Sequence, residues 1–278
     1  MWWLNRELME LTLLLVLVRV ILNGAEALAR SKEYATAGLS AWPLKRARYP
    51  WLAHGMLANV LDTGLRNPRY LYLVALQTFC AVALLLPMMR PAASLLLLFI
   101  LAVELLSPLR NGGYGMEGSD QMHLILLCAL NVYFAVSDPF ARTAVVWFIA
   151  LQSMLAYFTS GIVKLKTRSW KAGAAIRLVL GTDNYGSRWL AQFLNRIPEV
   201  SKLMCWGVVA FECLFPIVVL AGPKATLPLL ICGACFHLMI AGTMGLNGFF
   251  WSFVATYPAI YKFSCDFQRL LHFSMVTG

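Results

Sequence analysis

Charge is scarce in this chain. Asp, Glu, Lys and Arg make up 13% of its 278 residues, about half the quarter that a soluble domain carries. Hydrophobic side chains make up 60%, and the mean hydropathy is +0.69. That little charge could not coat the surface of a soluble protein, so the composition points to an all-α polytopic membrane protein. Acidic residues are the scarcer sign, 13 against 23 basic ones, for a net charge of +10. No compact basic domain collects the excess, which excludes nucleic acid as an expected partner. The lipid bilayer is the expected partner, with anionic headgroups facing the basic loops. The chain also lacks the motifs GxSxG, Walker A, GxGxxG and HExxH, so hydrolase, nucleotide-driven and zincin chemistry have no support. It has no internal repeat of the kind that secondary transporters carry. The first apolar run, Leu11–Ile21, is followed by Asn23, Glu26 and Arg30 without a small-residue cleavage site, so the first helix is expected to stay in the protein.

Long apolar runs are what the chain has in abundance. A hydrocarbon core of about 30 Å needs roughly 20 apolar residues per helix. That length predicts spans near 10–29, 70–89, 91–107, 121–137, 142–165, 203–222, 225–245 and 247–263, within a range of about 6–8 transmembrane helices. Pro87 and Pro91 separate the second and third spans, and Pro108, Asn111, Gly112 and Gly113 make a turn before the fourth. Two basic, aromatic stretches do not span: 30–69, in which Pro50–Asp62 reads as an interfacial helix, and 166–202, in which Trp170, Tyr185 and Trp189 sit among seven Lys and Arg residues. With eight spans both stretches face one side, opposite both termini, and the positive-inside rule makes that side cytoplasmic; an odd span count reverses the relation of the termini and leaves both orientations open.

Seven cysteines fall almost entirely in apolar runs, where cysteine packs as a small hydrophobe. Cys232 and Cys235 form a CxxC. Inside an apolar helix, without a second pair, that spacing reads as small-residue packing before redox chemistry. The four histidines are scattered, and no spacing suggests a zinc site.

Ionisable residues inside spans are expensive and face the bundle interior. Here they are Arg19, Glu26, Glu104, Asp120, His123, Lys164, Glu212 and His237. Arg19 is expected in a buried ion pair, with Glu104 or Glu212 as its partner. Lys164 ends the apolar run that begins near Val145, just before Lys166 and Arg168. One reading has it snorkel to the headgroups. The other places it in a dry pocket, where an amine can act as a base. His237 lies mid-span and reads as a packing residue when alone, or as part of a site together with Lys164 and Glu212.

The segment Tyr157-Phe-x-x-Gly161-x-x-Lys164-Leu165 followed by Trp170-x-x-Gly173, then Glu212-x-x-Phe215-Pro216, then Phe236-His237 with Gly245-x-x-x-Phe249, resembles the HTTM family. This is the transmembrane domain of vitamin K-dependent gamma-carboxylases and of the sporulation-delaying protein B type of bacterial membrane protein. Weaker echoes are Leu109-Arg110-Asn111-Gly112-Gly113 and Gly118-Ser119-Asp120, and together the matches cover about residues 60–260. The resemblance implies a single helical-bundle domain over 1–278 in a bacterial inner membrane. It also implies a base at the position of Lys164 acting on a reduced, vitamin K-like quinone. Within it, Glu212 and His237 would orient the lysine, and Asp120, His123, Tyr157 and Trp170 would line the substrate site. Two departures stand out. Val163 occupies the place of the first of two adjacent lysines, and the chain ends soon after its last expected span, so a peptide-binding module is expected on a second subunit.

Two functions follow. One is a membrane enzyme, carboxylase-like, that modifies or matures a peptide or a quinol-like substrate through Lys164. The other is a non-catalytic membrane partner in a toxin maturation, export or immunity complex, in which Lys164 pairs with Glu212 structurally.

Overall fold

The computed structural model describes residues 2–35, 38, 40–111, 117–183 and 186–277. Gly112, Gly113 and Tyr185, which the sequence reading used, lie outside them. Every regular element among the described residues is helical, so the fold class is all-α, as composition indicated. In chain order the α-helices are α1 Trp2–Ala29, α2 Trp42–Arg46, α3 Met56–Leu65, α4 Arg69–Ala83, α5 Ala93–Arg110, α6 Gly118–Ala135, α7 Pro139–Lys166, α8 Arg168–Lys171, α9 Ala175–Leu180, α10 Arg188–Arg196, α11 Pro198–Leu220, α12 Pro223–Met244, α13 Asn247–Val254 and α14 Tyr257–Thr277. Short 3-10 turns occupy Ser31–Tyr34, Pro50–Ala53 and Pro87–Ala92.

Among the described residues, five stretches are long and apolar enough to cross a membrane: Arg6–Ala29, Pro87–Arg110, Pro139–Lys166, Pro198–Leu220 and Pro223–Met244. They correspond to five of the eight expected spans, and the chain reads as an integral membrane protein. Three expectations change. The second span is a helix of only 15 residues, Arg69–Ala83. The eighth is broken at Ala255 and Thr256 into α13 and α14, and α14 runs on to Thr277. Pro50–Asp62 is not one helix: proline opens a 3-10 turn that ends before Gly55, whose φ of 97° no L side chain adopts cheaply, and α3 begins after it. The basic stretch 166–202 carries α8, α9 and α10.

Local chemistry places the helix ends. At α6, Glu117 and Asp120 form a reciprocal capping box, with the Glu117 amide donating to Asp120 Oδ2 at 3.1 Å. At α7, Asp138 Oδ2 accepts from the Ala141 amide at 2.6 Å. Pro198 and Pro223 open α11 and α12 where no amide donor is needed, and Gly245, at φ 70°, closes α12 in the left-handed region.

The chain divides into two compact units, Leu13–Arg142 and the combination of Met1–Thr12 with Thr143–Gly278. In the Leu13–Arg142 unit α5 packs on α4 and α6. A core of Trp42, Leu52, Ala58, Leu65, Tyr70 and Val74 gathers beside them. In the other unit α12 packs against α11, α13 and α14. A smaller core of Leu180, Ala191 and Leu194 anchors α9 and α10.

Candidate functional site

Lysine 164 lies in the unit that contains Thr143–Gly278. Tyr157, Ser160, Gly161 and Lys164 share one face of α7, at the i, i+3, i+4, i+7 spacing of a helix. Gly161 brings that face against α11. A Cβ on it would lie 2.7 Å from Cys213 Sγ, 2.9 Å from the Cys213 amide nitrogen and 3.0 Å from Glu212 Cβ. Only glycine permits this approach, and one helical turn further on it sets Lys164 opposite Glu212. Lys164 Nζ donates to both carboxylate oxygens of Glu212 at 2.7 Å and to Ser160 Oγ. Ser160 Oγ donates in turn to Glu212 Oε1 at 3.3 Å. The Glu212 side chain is 6% exposed and that of Lys164 19%, so the pair is largely withdrawn from solvent while the lysine keeps one open side.

Trp170 covers the lysine, its ring centroid 5.3 Å from Nζ, a cation–π contact. The tryptophan is held by the turn after α8. Gly173 adopts φ 74°, packs directly on Lys202, and its carbonyl accepts from Ser201 Oγ at 2.6 Å. The Trp170-x-x-Gly173 spacing therefore has a local cause.

Further along the same face of α7, Tyr157 Oη lies 2.7 Å from His237 Nε2 and 3.0 Å from Tyr257 Oη. Gly233 on α12 leaves the space that the Tyr257 hydroxyl fills. Tyr157 stacks on Phe215 at 4.0 Å between centroids, and His237 stacks on Phe253 at 4.7 Å. The result is a buried hydrogen-bonded chain of two phenols and an imidazole, walled by aromatic rings. His237 Nδ1 has no partner among the described residues.

Five residues singled out from sequence thus meet in one unit: Lys164, Glu212 and Trp170 around the ion pair, and Tyr157 with His237 around the aromatic chain. The other two, Asp120 and His123, belong to the Leu13–Arg142 unit. There Asp120 forms an ion pair with Arg19, which also donates to the Ser119 carbonyl at 2.7 Å. The expected partner of Arg19 was Glu104 or Glu212. Asp120 takes that place because the capping box already orients its carboxylate at the start of α6. Glu104 instead accepts from Gln77 Nε2 at 2.8 Å.

Ser160 and Tyr257 escaped the sequence reading. Ser160 could have been found, since it lies one turn before Lys164 on the same face. Tyr257 arrives from 100 residues away, and no spacing announces it. Cys232 and Cys235 are free and exposed on α12, clear of this hydrogen-bonded set. No family profile, curated protein or solved structure matches the chain, so the site is read from its own geometry.

Proposed function

We propose that this is a membrane-embedded enzyme of the HTTM, carboxylase-like kind, in which Lys164 removes a proton from a peptide or a lipid-soluble quinol-like substrate. The observation that carries this reading is the Lys164–Glu212 pair, a nearly buried carboxylate holding a lysine that is 19% exposed beneath the Trp170 ring. Moving a proton from Nζ to a Glu212 oxygen 2.7 Å away would turn the charged pair into a neutral amine and a neutral carboxyl. The amine then has a lone pair with which to take the substrate proton, and Ser160 holds Glu212 while it carries the first. The flat face of Trp170 suits a quinol ring, and the lysine suits its hydroxyl. A bound reduced quinone would supply the oxygen-reactive carbanion chemistry that no side chain provides. The pair Tyr157 and His237 would orient the aromatic wall of the site and offer a buried proton relay beside it.

One observation favours a second reading, a non-catalytic partner in a peptide maturation or immunity complex. All three donors of the Lys164 ammonium are used, by two Glu212 oxygens and Ser160. That is how a permanent structural pair is satisfied.

Substitution separates the two. Lys164→Met alone would strand the Glu212 charge, at a cost of about 3–5 kcal/mol, so the informative protein is Lys164→Met with Glu212→Gln. Under the enzyme reading this variant folds, and a mass change in secreted peptides or membrane lipids, present with the wild type, disappears. A change equal to one carbon dioxide would identify carboxylation. Lys164→Arg is inactive as well, because a guanidinium does not surrender its proton. An active Lys164→Arg protein, with spectra identical to the wild type's, would sink the catalytic lysine and leave the partner reading, to be pursued by co-purification.

A further inference from the structure

The Leu13–Arg142 unit has a half-open cavity of about 390 Å³ lined by α1, α4, α5, α6 and the segment that follows α1, a size suited to small-molecule sites. Its wall contains His123, which is 1% exposed and has neither ring nitrogen hydrogen-bonded among the described residues. A buried imidazole with an unmet donor and an unmet acceptor costs free energy unless something in the cavity meets them. The wall also contains Glu104, whose only hydrogen-bond partner among the described residues is the neutral amide of Gln77.

The charges of the wall define what would fit. Arg19 is engaged by Asp120. Arg30 is engaged by Glu26 at 3.1 Å and Glu33 at 3.8 Å. These residues and Glu104 all line the cavity, which sets four carboxylates against two guanidinium groups. Arg110 lies behind the wall over the rings of Tyr34 and Tyr70, at 4.9 and 5.2 Å, with Nη1 donating to the Ser40 carbonyl at 2.7 Å. Counting it as well still leaves the balance negative. Arg110 Nε and Nη2 have no hydrogen-bond partner among the described residues, but Arg110 is not part of the cavity wall. An anion in the cavity would meet four carboxylates, with the two lining guanidinium groups already paired to three of them. No group of three or more His, Cys, Asp or Glu among the described residues is placed to hold a metal ion. A ligand with positive charge and N–H donors answers both unmet features: the carboxylate takes the charge, and the lone-pair nitrogen of the imidazole accepts an N–H.

We propose that this cavity binds a small organic ammonium ion, held by the Glu104 carboxylate and the acceptor nitrogen of His123. Gln77 fixes Glu104, and the Arg19–Asp120 pair closes the α1–α6 side. The site lies in a different unit from Lys164 and does not depend on the function proposed for that residue.

The test uses the full-length protein in detergent and three probes of similar shape. Benzylammonium has charge and N–H donors, benzyltrimethylammonium has charge alone, and benzyl alcohol has no charge. Calorimetric titration and thermal unfolding are read for each. Benzylammonium is expected to bind saturably and raise Tm, benzyltrimethylammonium to bind about tenfold more weakly or worse, and benzyl alcohol to give no shift. Glu104→Gln is expected to weaken benzylammonium by about tenfold or more, and His123→Phe, which fills the same space without an acceptor, to weaken it as well. If Glu104→Gln does not fold, Glu104→Asp keeps the charge, and the wild-type comparison of the three probes still decides. Equal responses to benzylammonium and benzyl alcohol, undiminished binding by Glu104→Gln, or no response to any probe would overturn the proposal.

Discussion

Asp62 accepts hydrogen bonds from Trp42 Nε1 and Arg66 Nη2, both at 2.7 Å, and an ion pair from Arg46 at 3.0 Å. Burial pushes its carboxyl up, but the two hydrogen bonds and the charges of Arg66 and Arg46 outweigh burial and hold it below the usual value of 3.8. The unfolded chain therefore takes up this proton first as pH falls. The stabilisation is complete above the unfolded value and is lost as pH drops through the folded one. Lowering the pH below about 4 should reduce Tm in detergent. Asp62→Asn should be less stable by about 1–3 kcal/mol at neutral pH, and its deficit should shrink as acid removes the same interaction from the wild type. Tyr157→Phe makes a second case. It deletes one oxygen and leaves His237 and Tyr257 buried without a shared partner, which should cost about 1–3 kcal/mol, measurable as a lower unfolding midpoint. Both residues were visible in the sequence, but neither partner set was. Asp62 reads as one more charge in a basic stretch until Trp42 is folded onto it.

At the scale of elements, the contact between α7 and α11 rests on one glycine. Gly161→Ala would put a methyl group 2.9 Å from the Cys213 backbone nitrogen, which a side-chain rotation cannot relieve. The helices must part, at a cost of about 1–3 kcal/mol, and Lys164 must withdraw from Glu212. Loss of Tm and loss of whatever activity depends on the pair should therefore appear together. Gly207, on the outer face of α11, is a control because an added Cβ there meets nothing within 4 Å. Gly207→Ala should hold or raise Tm, since alanine favours a helix by up to about 1 kcal/mol. The run Tyr157-x-x-x-Gly161-x-x-Lys164 was legible as a motif, and its helical face follows from periodicity. That the glycine faces α11 depends on which helix packs there.

For the whole molecule, the bilayer is the solvent for the exposed apolar faces. Leu98 lies near the middle of Pro87–Arg110 and is 55% exposed. Leu98→Lys would set an ammonium against lipid without a partner, at a cost of about 2.5–3.5 kcal/mol on the insertion scale. The fraction of protein recovered in membranes should fall, with the remainder aggregated or degraded. Arg19 is equally charged and stays in its span because Asp120 and the Ser119 carbonyl meet it. Recovery of the Leu98→Lys protein at wild-type level would mean that this face is covered by protein rather than lipid.

Composition and apolar run length determined the all-α class and five of the membrane-crossing stretches by themselves, because spanning requires backbone hydrogen bonds to close within each helix. Proline and glycine positions determined where α11 and α12 begin and where α12 ends. The tertiary structure decided what involves two helices distant in sequence: the choice of Asp120 as the partner of Arg19 and the arrival of Tyr257 beside Tyr157. Hydrophobic periodicity says which face of a helix is turned inward, but lipid and protein interior are both apolar. Only packing of small residues such as Gly161 and Gly233 against a specific neighbour selects which polar side chains meet.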